Sequence, residues 1–139
     1  MKLIVDTNRL LAAIIKKGKT REILHSKKFD FWTVEGAITE ITKHSALLTQ
    51  KTGLTEQEIK SIYNLLLFDV KIIPEEKIIK KMPEAIQIMQ KIDETDAIFI
   101  AGALAINADG IYTEDKHFEK QSKIKIFKTT ELIRELQKT

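Results

Sequence analysis

The sequence predicts an α/β fold, a three-layer α/β/α sandwich with a central parallel sheet. Three observations predict it. Short apolar segments alternate with stretches of helical spacing, the pattern of a parallel sheet covered on both faces through right-handed crossovers. The chain has 139 residues, 43% of them hydrophobic, which suits one core and one domain over residues 1–139. No repeat, low-complexity tract or linker interrupts it, and five Gly with two Pro are too few for a multi-linker protein.

The elements follow in order. Lys2-Leu3-Ile4-Val5 reads as a buried strand running into Asp6-Thr7-Asn8, after which Leu10, Leu11, Ile14 and Ile15 take helical spacing until Gly18. Residues 20–27 form a second short helix, Phe31 to Val34 a second strand, and Glu35 to Leu48 a helix that Gly53 closes. Thr55-Glu56-Gln57-Glu58 has the capping pattern that opens the next helix, whose apolar stripe is Ile59, Ile62, Leu66 and Leu67. Val70 to Ile73 is a third strand ended by Pro74. A helix interrupted at Pro83 resumes through about Lys91, Pro83 suiting a first helical turn. Thr95 to Asn107 is an Ala- and Ile-rich helix whose Ala101, Gly102, Ala103 and Ala105 permit close packing on a sheet. Strands at Gly110 to Thr113 and Ile124 to Phe127 and a terminal helix from about Thr130 complete the set.

Composition excludes several chemistries. Without cysteine there are no disulfides, thiolate metal sites or cysteine nucleophiles. No apolar run approaches the roughly 18 residues that cross a bilayer, and the run in MKLIVDTN is too short for a signal peptide. A soluble, cytoplasmic protein with no membrane partner is expected. The 23 Lys and Arg against 20 Asp and Glu give a formal charge of +3, a mild excess that by itself identifies no partner. The richness in Lys, Ile and Glu fits a thermophile or an AT-rich genome alike.

In open parallel sheets ligands sit beyond the carboxyl ends of the strands, which puts the residues just after each strand first. Asp6 follows the first strand, Glu40 lies about two turns into the helix after the second, Asp96 is in the first turn of the Ala-rich helix, and Asp115 follows the strand ending near Thr113. Four carboxylates from four segments are thus expected at one edge, with Asp93 joining if the helix begins early. Two carboxylates about 4 Å apart repel by roughly 4 kcal/mol at an effective dielectric of 20, so such a cluster takes up protons or binds cations. With His25, His44 and His117 as the only other ligand types, the donors are hard oxygens, which suit Mg2+ or Mn2+ over zinc or copper. Each acid also has an ordinary reading. Asp6 can be a helix N-cap, Glu40 a solvent-facing residue, Asp96 a complement to a helix dipole, and Asp115 the start of an Asx turn.

Jointly, the arrangement resembles the PIN-domain family of metal-dependent nucleases, with VapC-type toxins among its small members. The resemblance spans nearly the whole chain. It is carried by Val5-Asp6-Thr7-Asn8, Ile38-Thr39-Glu40-Ile41, Asp93-Glu94-Thr95-Asp96-Ala97 and the segment from Asp109 to Phe118, the last two in that order being the most specific. It implies strand order 3-2-1-4-5 and a metal-dependent phosphodiesterase acting on RNA. Asp6, Glu40, Asp96 and Asp115 would be the catalytic, metal-holding acids, with Asp6 central. Thr113 and Asn8 match positions that hydrogen-bond those acids, and Asp93 fits either that supporting role or plain surface. In-line attack would leave a 5′-phosphate and a 3′-hydroxyl. An antitoxin partner and homodimerisation are also implied.

Setting the four acids aside leaves 16 acidic residues against 23 basic ones, a formal +7 around an acidic site, which suits a polyanion. Arg9, Lys16 and Lys116, with Lys17 and Lys19, are candidate phosphate contacts; each is equally readable as a solvated surface cation. Trp32 is expected in the core, His117 on a surface turn, and His44 on the same helical face as Glu40. Leu10, Ile14, Leu65 and Leu66 are candidates for a dimer surface or for core. Two other functions compete: a noncatalytic RNA-binding module of an RNA-processing complex, and a small-molecule phosphatase. Against the phosphatase, Asn8 stands where a second Asp would assist the leaving group.

Overall fold

The computed structural model describes residues 1–138. β1 (Lys2–Val5) is the middle strand of an all-parallel sheet, between β2 (Asp30–Thr33) and β4 (Gly110–Tyr112), with β3 (Val70–Ile72) and β5 (Ile126–Phe127) at the edges. The order β3-β2-β1-β4-β5 is the one expected. Leu3, Ile4 and Val5 are all fully buried, as a strand covered on both faces requires. α1 (Thr7–Ile15) and α2 (Lys19–His25) connect β1 to β2. α3 (Glu35–Lys43), α4 (Ser45–Thr52) and α5 (Glu56–Phe68) lead to β3, α6 (Glu75–Met89) and α7 (Ala97–Ala105) to β4, and α8 (Thr129–Gln137) ends the chain.

Alternation along the strands assigns the layers. On the face of Ile4 lies α7. A Cβ at Gly102 would meet Ile73 Cδ1 at 3.0 Å, Val34 Cγ1 at 3.5 Å and Ile4 Cδ1 at 3.7 Å, so the small residues do allow close approach, and α6 packs along α7. The opposite face carries Phe31 and Tyr112, with ring centroids 6.1 Å apart. There the Tyr112 hydroxyl meets Thr20 Oγ1 of α2 at 3.2 Å and Thr129 Oγ1 of α8 at 2.8 Å. At the two sheet edges a lysine lies over an aromatic ring: Lys71 Nζ is 5.3 Å from the Trp32 centroid and Lys125 Nζ 4.8 Å from that of Phe127. Trp32 itself is half-buried against the core, not a free stacking surface.

Local signals behave as their chemistry demands. Thr55 Oγ1 accepts from Glu58 N at 3.1 Å and Glu58 Oε1 from Thr55 N at 3.2 Å, a complete capping box. Gly53 ends α4 in the left-handed region at φ 72°.

Three expectations need correction. The helix expected to break at Pro83 runs unbroken over α6; Pro83 and Ile79 are both exposed, so the Ile79 carbonyl that loses its N–H partner faces water. The helix expected over 35–48 divides at His44, whose N–H is shared between the Glu40 and Ile41 carbonyls at 3.2 and 3.1 Å. The fifth strand is shorter than expected because the Gln121 side chain pins Ile124, accepting from its N at 2.9 Å and donating to its carbonyl at 2.8 Å. Of the candidate dimer stripe, Leu10, Ile14 and Leu66 belong to the core and only Leu65 is exposed. No helix among the described residues is long and apolar enough to cross a membrane.

Gly110 is where the β4–β5 pairing is least tolerant. A Cβ there would lie 2.5 Å from the Lys125 carbonyl oxygen and 2.5 Å from Phe127 Cε2. Gly110→Ala is expected to cost about 2–3 kcal/mol, read as a lower urea midpoint at unchanged slope.

Candidate functional site

The site begins with strand register. Val5 pairs with Tyr112, so the residues that follow each, Asp6 and Thr113, stand side by side at the carboxyl ends of β1 and β4. This is the switch point of the sheet, with the connections from β1 and β4 leaving toward opposite edges. Asp6 is 5% exposed, and both its oxygens are engaged: Arg9 N donates to Oδ1 at 2.9 Å and the Thr113 hydroxyl donates to Oδ2. Asp6 therefore does cap α1, and it also reaches across the sheet. Burial raises its carboxyl pKa above the usual range; the Thr113 and Arg9 hydrogen bonds and the Arg9 charge offset part of this, and the Asp115 charge adds to it.

Thr113 organises the far side as well. Its hydroxyl oxygen accepts from Asp115 N at 3.0 Å, and Asp115 Oδ1 accepts from His117 N at 2.9 Å, forming the turn that opens the short 3-10 helix Lys116–Lys120. A second 3-10 turn, Glu94–Asp96, precedes α7, which begins at Ala97 and not at the expected Thr95, and Asp93 caps that turn beside the other acids. Asp93 Oδ1 accepts from Thr95 N at 3.0 Å and from Thr95 Oγ1 at 2.6 Å, which holds its carboxyl below the ordinary value. Asp96 stands at the N-cap of α7, yet its side chain makes no capping bond. Its pKa is raised by burial first, then by the Asp115 and Asp93 charges, with the neighbouring His117 offsetting part of the rise. Asp115 is thus the electrostatic link, since its charge acts on both Asp6 and Asp96.

His117 is on a surface turn, as expected, and that turn also sets its ring among these acids. Its Nδ1 is 3.5 Å from Asp93 Oδ2, 3.6 Å from Asp96 Oδ2 and 3.5 Å from Asp115 Oδ1. That nitrogen is buried and has no hydrogen-bond partner. Ligand atoms of Asp93, Asp96 and His117 lie within 4.8 Å of one another, the one such trio among the described residues. Separations of 3.5–3.6 Å are too long for hydrogen bonds. They fall between the spacings of adjacent and opposite donors on a cation, about 3.0 and 4.2 Å when each donor is about 2.1 Å from it. The residues present fit a divalent ion.

The remaining candidates are more scattered. Glu40 is about half exposed on α3, with Oε2 3.4 Å from His44 Nε2, and stands outside the compact trio. Asn8 is exposed and makes no side-chain hydrogen bond among the described residues. Arg9 Nε is buried without a partner beside Asp6. Lys16 is exposed and lines a surface cavity with Lys17, Lys19, Arg21 and His25, and Lys116 is exposed at the start of its 3-10 helix. The Arg21 guanidinium is committed to the Ala13 and Ile14 carbonyls at 2.7 and 3.0 Å. The one sequence signal that pointed to His117 was its place two residues after Asp115, the spacing of an Asx turn.

The raised carboxyls bear on stability. A folded-state pKa above the unfolded one means that the native chain holds more protons between the two, so stability falls as pH rises through that window and stays lower above it. In chelator at neutral pH, Asp96→Asn is therefore expected to raise the melting temperature by about 2–5 °C. The gain should vanish at about pH 3, below the ordinary carboxylate range, in melts recorded across pH.

Comparison with known proteins agrees with this geometry. The family model for the PIN domain matches residues 4–138. A chain in the crystal structure of VapBC2 from Rickettsia felis, bound to a DNA fragment from their promoter, superposes with a TM-score of 0.72 at 18% identity. The match covers 92% of this chain and 98% of that one, a likeness of fold. No curated protein sequence matches. A parallel sheet of this order, carboxylates gathered at its switch point and a family match over almost the full length lead to one conclusion: the chain belongs to the PIN-domain family, whose members are nucleases.

Proposed function

We propose that this protein is an endoribonuclease dependent on Mg2+ or Mn2+ that hydrolyses RNA phosphodiester bonds, and that it is the toxin of a toxin–antitoxin pair. The observation that carries the reading is the convergence of acids from three separate stretches of chain: Asp93, Asp96 and Asp115 surround the His117 ring nitrogen, and Thr113 links Asp115 to Asp6. Membership of a nuclease family supports it. The fold likeness to a VapBC2 chain supports an antitoxin partner. We carry the homodimer over from family resemblance, and we take residues 1–139 to act as one domain.

In this reading Asp96 and Asp115 hold the cation together with Asp6, and Glu40 is retained from its motif position on α3. A bound Mg2+ or Mn2+ supplies charge neutralisation at phosphorus and acidification of a bound water. Thr113, bonded to Asp6 through its hydrogen and to Asp115 N through its oxygen, fixes the spacing of those two acids. Arg9 holds Asp6 through its backbone N–H, and its half-buried side chain is retained from the sequence reading as a phosphate contact. Lys116 and Lys16 meet flanking phosphates as exposed charges. From the family resemblance we carry over in-line attack by water that expels the 3′ oxygen, leaving a 5′-phosphate and a 3′-hydroxyl, with no part for the ribose 2′-hydroxyl as nucleophile.

Incubation of 5′-labelled RNA with the protein and Mn2+ should give cutting that chelator abolishes and that Asp6→Asn lowers about 100-fold or more, with 3′-hydroxyl ends on the labelled fragments. Cutting that survives chelator or the substitution would sink the mechanism. Salt-sensitive RNA binding without cutting would make the chain the noncatalytic module instead.

A further inference from the structure

We propose that His117 is itself a metal ligand through Nδ1, giving the centre a mixed nitrogen and oxygen donor set that selects Mn2+ over Mg2+. The inference rests on the metal-dependent reading above and deepens it.

The chemistry of the ring nitrogen leads there. A neutral imidazole nitrogen is either a donor or an acceptor, and one buried without a partner is costly to keep. Nδ1 of His117 is buried and makes no hydrogen bond, its neighbours being three carboxylate oxygens at ion-pair distances of 3.5 to 3.6 Å. Two of those oxygens are open to a cation, whereas Asp115 Oδ1 already accepts from His117 N. Asp93 spends Oδ1 on Thr95 and leaves Oδ2 toward the ring, and Asp96 spends nothing on capping its helix.

The ring is also held in place. His117 N is tied to Asp115 Oδ1, and the next residue, Phe118, is fully buried with its ring edge-on to Phe99 of α7 at a centroid distance of 6.3 Å. The Phe118–Phe99 contact therefore joins the turn that carries His117 to the helix that follows Asp96. Glu40, by contrast, faces His44 and lies outside the compact trio, so the imidazole occupies a ligand position that an acid-only set would leave to a carboxylate. An imidazole in the set favours a transition-series cation over Mg2+, which prefers oxygen donors throughout.

The test uses the full chain with Mn2+ or Mg2+ alone. Pulsed EPR of the Mn2+-loaded protein should show 14N modulation from a directly bound ring, and calorimetry should show Mn2+ bound at least about tenfold more tightly than Mg2+. In His117→Gln the nitrogen signal should disappear and Mn2+ affinity should fall about tenfold or more, with Mg2+ affinity within about twofold of its starting value. Because the His117 side chain is 45% exposed, this variant should melt close to the parent, which a thermal scan checks. Mn2+ bound without nitrogen modulation, a signal that persists in His117→Gln and so comes from another histidine, or equal loss of both cations would each overturn the His117 assignment while leaving the metal-dependent reading intact. Failure to take up either cation would overturn both.

Discussion

A carboxylate buried at the end of a central strand must have its oxygens satisfied, and the way Asp6 meets that demand governs the rest of the molecule. One oxygen takes the Arg9 N–H in the first turn of α1, which sets where that helix starts. The other takes the Thr113 hydroxyl, which requires β1 and β4 to pair in the register that sets Val5 against Tyr112. A slip of one residue would exchange Ile4 with Leu3 and Val5 between two differently packed layers and leave Asp6 with an unpaired oxygen. Hydrophobic burial and one hydrogen bond thus select the same register.

From that point the acids are assembled by short, local devices. Asp93 and Asp115 each open a 3-10 turn by accepting backbone N–H groups, and Asp96 sits at the junction of a turn with α7. These bonds satisfy one oxygen of Asp93 and position the others, so like charges are held together by geometry instead of being dispersed. The price is visible in Asp6 and Asp96, whose carboxyls resist ionisation. Such a cluster trades stability for readiness to bind a cation.

Much of this was legible in the sequence. Strand order, the Thr55 capping box and the Gly53 stop follow from alternation, hydrogen-bonding inventory and backbone sterics, each of which acts over a few residues. Asp6, Asp93, Asp96, Thr113 and Asp115 were recognisable because each follows or precedes a strand or helix whose position was itself readable. Other features depend on distant neighbours. Pro83 passes through α6 because its side of the helix faces water, and α3 parts from α4 at His44 without any glycine or proline to signal it. The place of His117 could not be read for the same reason: it is fixed by Phe118 packing on Phe99, a contact between residues far apart in the chain.

The rims of the sheet complete the picture. β3 and β5 have only three and two residues, and lysines beside them, Lys71 and Lys125, lie across aromatic rings. Short, charged borders give an incoming strand little backbone to pair with, a familiar guard against fibre-like aggregation. Either border thus offers a companion chain less backbone to extend than the longer helices offer surface to pack on.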